Sequence, residues 1–247
     1  MKYVVIFEIN TTAILRILFY THLLFTTLPL VFYLLFKLKS KQKSLRVILF
    51  YVLYCIFNEA LNYYLQSIRS EKTIYLFYAF TIVEYSFFCY FIYLILPKSF
   101  VRKTIPFLWL SLIIFDLINV IYKNNAFGFD SITSGIECII ILLLCISYLF
   151  IQLRGSTSLS IYSTFDFWVV ITFLIYFAGT FFLYMLAQSM GRDVAFQRQY
   201  FIINIAFNIL KNILLCIAMT MKLNDTVKEQ KNFIPELDDE FSFSQKI

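Results

Sequence analysis

The chain has 247 residues; 61% are hydrophobic, 20% are aromatic, and Phe and Tyr number 30 and 18. Charged residues are 15%, against about 25% in an average soluble domain, where the hydrophobic share is about 45–50%. A water-soluble fold of this composition would have to expose large contiguous apolar patches, which excludes that class and leaves the lipid bilayer as the solvent.

Runs of about 20 apolar residues, enough to cross the hydrocarbon core, occur at 12–36, 46–66, 73–96, 104–122, 132–153, 161–189 and 199–221. They predict an all-α integral membrane protein, a seven-transmembrane helix bundle over 1–221. The first run is too long for a cleaved signal peptide and no small-residue cleavage pattern follows it. It carries Arg16, which can snorkel to the surface, and Pro29, which predicts a kink. Otherwise it reads as scaffold.

The second run places Asn58, Asn62 and Gln66 four residues apart, with Glu59 beside them, so one helix face is polar. The third carries Thr81 and Glu84, the fourth Asp116 and Asn119, and the fifth Ser134 and Glu137. The sixth keeps Asp166 near one end, where it is expected to face headgroup water. The seventh carries Asn204, Asn208, Lys211 and Asn212 at helical spacings. Residues 222–247 form a tail that turns from basic (Lys228, Lys231) to acidic (Glu236, Asp238, Asp239, Glu240), with Phe233, Phe241 and Phe243 interspersed. Its composition predicts a disordered tail, or a docking segment with aromatic anchors.

Lys and Arg in the loops set the orientation. Thirteen fall on the side of the 37–46 loop and the tail, and six on the other; Arg16 and Lys211 lie within spans. The N-terminus is therefore expected outside and the C-terminus in the cytoplasm. The net charge of +6 is mostly this topogenic signal, and no folded basic face exists for nucleic acid.

An ionisable group at mid-bilayer costs roughly 2.5–3.5 kcal/mol on insertion scales, so these residues serve packing or function. Counted from the outer ends, Glu59, Asp116 and Glu137 lie about five to seven residues in, and Glu84 and Lys211 about eleven to thirteen, at about 1.5 Å per residue. The expectation is an outward-facing polar chamber with a ligand site built from Asn58, Glu59, Asn62, Glu84, Asp116, Asn119, Glu137, Asn204, Asn208 and Lys211. The bland alternative is interhelical hydrogen bonding that fixes register, worth about 0.6 kcal/mol per contact.

No GxSxG, HExxH, P-loop or GxGxxG is present. Cys55, Cys89, Cys138, Cys145 and Cys216 all fall in apolar runs without metal-ligand spacing, and His22 is the single histidine. An enzyme, a metal site and a cofactor are therefore not expected.

Lys211 in the seventh span and Glu84 in the third resemble the arrangement of retinal-binding rhodopsins. The sixth span, TFLIYFAGTFF, lacks that family's aromatic–proline wall, and the third, TIVEYSFFCYF, lacks its acidic–Trp pattern. G-protein-coupled receptors differ too, since no DRY-like triplet ends the third span and no NPxxY lies in the seventh. Across the whole membrane portion, the topology and the richness in Phe, Ile, Tyr, Lys and Asn resemble the seven-transmembrane sensory modules of bacterial, Bacteroidota-like signalling proteins.

That resemblance implies a receptor-like protein binding a small ligand, ion or proton. It also implies a bacterial inner membrane as the location and, since the 222–247 tail is not expected to hold an output domain, a separate cytoplasmic or membrane signalling partner reached through the 37–46 loop and the tail. The alternatives are a small-solute transporter or channel, and a structural subunit of a membrane complex. Of five Gly and four Pro, only Pro29, Pro106, Gly135 and Gly179 fall in spans, which weighs against the broken helices of transporters.

Overall fold

The computed structural model describes residues 2–65, 74–122, 131–155, 162–190 and 194–223, with side chains described from residue 17 onward at most of these positions. Gln66, the loop cations Arg69, Lys72, Lys123 and Arg192, the Arg16 side chain and the expected tail from residue 224 lie outside the described residues.

Among the described residues seven α-helices follow one another: α1 (Lys2–Phe36), α2 (Lys43–Tyr64), α3 (Ile74–Ile95), α4 (Phe100–Tyr122), α5 (Ser131–Gly155), α6 (Phe165–Met190) and α7 (Val194–Thr220). No β-strand occurs among the described residues. Helix is what a lipid solvent demands, because each backbone N–H and C=O must be satisfied within its own segment. Five helices, α2, α3, α5, α6 and α7, contain stretches long and apolar enough to cross a membrane; α1 contributes a shorter apolar stretch, Tyr20–Phe36. The chain is an all-helical, multi-pass membrane protein. Pro29 and Pro106 both lie inside their helices.

Packing runs α1–α2–α3–α5–α6–α7 and closes from α7 back to α1, while α4 packs against α3 and α5. The ring is filled from within by rings of another kind. Phe88 and Phe91 of α3 meet Phe165, Phe173 and Phe177 of α6, with Phe88 only 4.2 Å from Phe173 between centroids. Tyr51 of α2 joins this aromatic core 4.9 Å from Phe88. Tilted and edge-on pairs of this kind add about 0.5–1.5 kcal/mol each beyond their burial. Large apolar side chains also cover the outside, among them Phe57, Phe107, Leu143 and Phe182. That surface is stable against lipid and not against water.

The end of the bundle carrying the α1–α2 turn is tied across several helices. Phe165 N–H donates to the Lys222 carbonyl at 2.8 Å and Lys222 N–H to the Ser163 carbonyl at 3.0 Å. Lys37 Nζ donates to the Met221 carbonyl at 2.5 Å, and partial burial holds its ammonium below the usual lysine range. Ser44 donates to Asp166 Oδ1 at 3.0 Å. Asp166 is thus not in headgroup water as its terminal position implied: it is 2% exposed, in the first turn of α6, under the start of α2. A carboxylate at a helix N-terminus is favoured by the peptide dipoles, which helps hold it there.

At Gly179 of α6 the Phe207 ring of α7 occupies the space that a Cβ would need. Gly179→Ala should therefore destabilise the bundle by about 1–3 kcal/mol, and Phe207→Ala in the same chain should recover much of the loss. Thermal unfolding in detergent of the three variants against wild type measures both effects.

Candidate functional site

Most of the buried polar side chains beyond the Ser44–Asp166 end fall into three bordering groups. The central one joins α2, α3 and α7. Lys211 Nζ donates to the Tyr51 hydroxyl at 2.7 Å, and that hydroxyl donates to Glu84 Oε1 at 2.6 Å. The ammonium lies 3.6 Å from the same carboxylate oxygen, and Lys211 and Glu84 are each 3% exposed. The Tyr176 ring of α6 closes the other side, 4.2 Å from Nζ to its centroid. An ammonium over an aromatic face gains from the ring quadrupole, more so when desolvated. A phenol between ammonium and carboxylate accepts from one and donates to the other, so each of the three polar groups has a partner within the protein.

The second group lies between α1, α2 and α7. His22 Nε2 meets Glu59 Oε1 at 3.1 Å. Asn212 donates to Thr26 at 3.4 Å, and Thr26 to the His22 carbonyl at 2.9 Å. Among the described residues His22 Nδ1 is buried without a hydrogen-bond partner, as is Oδ1 of Asn58, which precedes Glu59 in α2. The first helix is therefore more than scaffold, since it supplies His22 and Thr26 to the polar interior.

The third group joins α3, α4 and α5. Thr81 and Ser134 hydroxyls lie 3.4 Å apart, and Asn119 donates to Thr133 at 3.2 Å. Asp116 is fully buried beside the Thr133 hydroxyl. Neither of its carboxyl oxygens reaches full hydrogen-bond geometry. Glu137 is buried within electrostatic reach of Tyr176. Cys55 is likewise within reach of Lys211, Glu84 and Glu59, and so borders the first two groups.

Of the ten expected residues, Glu84 and Lys211 meet directly. Glu59 pairs with His22, and Asn119 and Asp116 gather at Thr133. Asn208 bonds to Asn204 within α7, through its carbonyl at 2.9 Å and its side chain at 3.3 Å. Asn62 is half-buried near the end of α2. Tyr51 and Tyr176 were not anticipated, yet a signal existed. Tyr51, Cys55, Asn58 and Asn62 recur at i, i+4, i+7 and i+11, a single helical stripe. Among the described residues no cluster of three or more His, Cys, Asp or Glu could hold a metal ion.

Comparison with family models, with curated proteins and with solved structures gives no match.

Breaking a buried pair strands a charge and costs about 3–5 kcal/mol, whereas removing both partners is often close to neutral. Glu84→Gln and Lys211→Met should each lower stability by that order, and the double variant should recover most of it. Unfolding in mixed micelles on rising dodecyl sulfate fraction measures the cycle; additive losses in the double variant would show that the pair is not coupled.

Proposed function

We propose that this protein is a receptor-like sensor of a bacterial inner membrane, crossing it seven times with its N-terminus outside and its C-terminus in the cytoplasm. A small polar ligand, an ion or a proton enters the polar half of the bundle, among Asn58, Glu59, Asn62, Asp116, Asn119, Glu137, Asn204 and Asn208. Its arrival redistributes the hydrogen bonds of Glu84, Tyr51 and Lys211. The observation that carries this reading is the Lys211–Tyr51–Glu84 chain, because it couples three helices through one phenolic hydroxyl. Among the described residues His22 Nδ1 and Asn58 Oδ1 are buried with no protein partner, which supports it, since a water or a bound polar group would supply the missing bonds.

Output follows from where α7 goes. Nine residues beyond Lys211 the helix ends at Thr220, and Met221 and Lys222 are tied to Lys37 and to the start of α6. A displacement of α7 at Lys211 thus changes the 37–46 turn and the root of the tail, the surface offered to a separate signalling partner. A stimulus acts only by favouring one of two arrangements, so it must bind one of them better.

Protons serve as the first probe. On acidification of reconstituted protein, hydrogen exchange relative to the intrinsic rate should rise in the 37–46 and 217–223 segments, and Tyr51→Phe, which removes the bridging hydroxyl, should flatten that response. Protection, measured as exchange relative to the intrinsic rate at each pH, that is independent of pH and unchanged in Tyr51→Phe would leave the proton reading without support. Proton flux into liposomes carrying a pH dye would favour transport instead. Reporter fusions after Lys222 check the orientation: alkaline phosphatase should be inactive there and a green fluorescent protein bright.

A further inference from the structure

Away from the polar groups, α3 and α4 part to leave a lateral cleft of about 550 Å³, within the size range of ligand pockets. Its walls are almost wholly apolar and aromatic, including Val83, Phe87, Tyr90, Tyr93, Pro106 and Trp109. The two polar wall atoms that face each other are already spent, Trp109 Nε1 donating to Ser86 Oγ at 2.9 Å. Such a cleft has little with which to recognise a polar solute, and hydrocarbon is the chemistry it fits.

One end of the cleft is charged. The Arg102 guanidinium stacks 4.4 Å over the centroid of Tyr93, itself a wall residue, and donates through Nη1 to the Leu96 carbonyl at 3.3 Å. Arg102 remains partly exposed, and Lys98 and Lys103 are exposed on the same turn. From Leu96 to Phe115 the sequence holds no acidic residue to neutralise them. A guanidinium carries five N–H donors in a planar fork suited to phosphate, so one bond to a carbonyl leaves most of its capacity for a headgroup.

We infer that the α3–α4 cleft binds one anionic glycerophospholipid, its acyl chain lying against Trp109 and its phosphate at Arg102. Apolar wall and cationic mouth are complementary to the two ends of that one molecule, and to neither a second copy of the chain nor a soluble peptide. The site is separate from the polar groups, but it requires α4 to lie in the bilayer beside α3.

The chain has two tryptophans, Trp109 and Trp168, so Trp168→Phe leaves a single reporter inside the cleft. This variant is reconstituted in phosphatidylcholine vesicles containing increasing fractions of brominated phosphatidylglycerol or, separately, brominated phosphatidylcholine. Quenching of Trp109 should reach half-maximum at a roughly fivefold lower fraction of the anionic lipid, the preference that one interfacial cation confers. Arg102→Gln should abolish the preference and Arg102→Lys should keep it. In the complementary Trp109→Phe chain, Trp168 should be quenched equally by both lipids. Equal quenching of Trp109 by the two lipids, or a preference that survives Arg102→Gln, overturns the inference. Absence of quenching by either lipid overturns it as well, and with it the placement of α4 in the bilayer; the sensory reading of the polar half is tested separately and stands or falls on its own.

Discussion

An ammonium group surrounded by helices in lipid must find its counter-charge inside the protein, and Lys211 finds it through a single phenol. Because Tyr51 accepts from Lys211 and donates to Glu84, the register of α2, α3 and α7 is set by three atoms. Much else depends on this point. The Tyr51 ring continues into Phe88, and Phe88 into Phe173 and Phe177, so the same residue that bridges the charges also begins the aromatic core. The helix that carries Lys211 then runs on to the tied end of the bundle at Met221 and Lys222.

The helical membrane character was legible from composition, because the hydrophobic excess of this chain leaves no other solvent. The order of packing was not. Helices that are apolar on most faces show little periodicity to say which face is inward, so the position of α4 against α3 and α5 could not be read from its run of residues. Its buried positions, Ile105, Leu112 and Asp116, keep helical spacing. Only Asp116 distinguishes that stripe chemically from its lipid-facing neighbours.

At the site, Glu84 and Lys211 were readable because charges inside apolar runs are costly and therefore conspicuous. Tyr51 and Tyr176 were hidden by their abundance: with 18 tyrosines, one more aromatic residue in a span reads as hydrocarbon, although its hydroxyl decides the geometry. Asp166 misled for a different reason. Depth was inferred from position along its own span, as if each helix end met water. In the folded bundle the start of α2 and the exit of α7 cover that end, and Ser44 supplies the partner that solvent would have supplied. The same reasoning made α1 look inert, since one histidine and one threonine carry little weight until α2 and α7 are placed beside them.

The two halves of the interior differ in kind, and the difference gives the bundle a direction. On one side of the central triad the contacts are aromatic and closely packed, an arrangement that resists compression and transmits displacement. On the other side they are polar and range from 2.9 Å, Thr26 to the His22 carbonyl, to 3.4 Å, Thr81 to Ser134 and Asn212 to Thr26, against 2.6 and 2.7 Å within the triad. Weak contacts rearrange at low cost, whereas the short triad bonds hold. On the sensory reading, a group entering the polar half therefore works against the softer side. The displacement it causes is carried past Lys211 by the stiffer side, along α7, to the end where backbone bonds tie that helix to its neighbours.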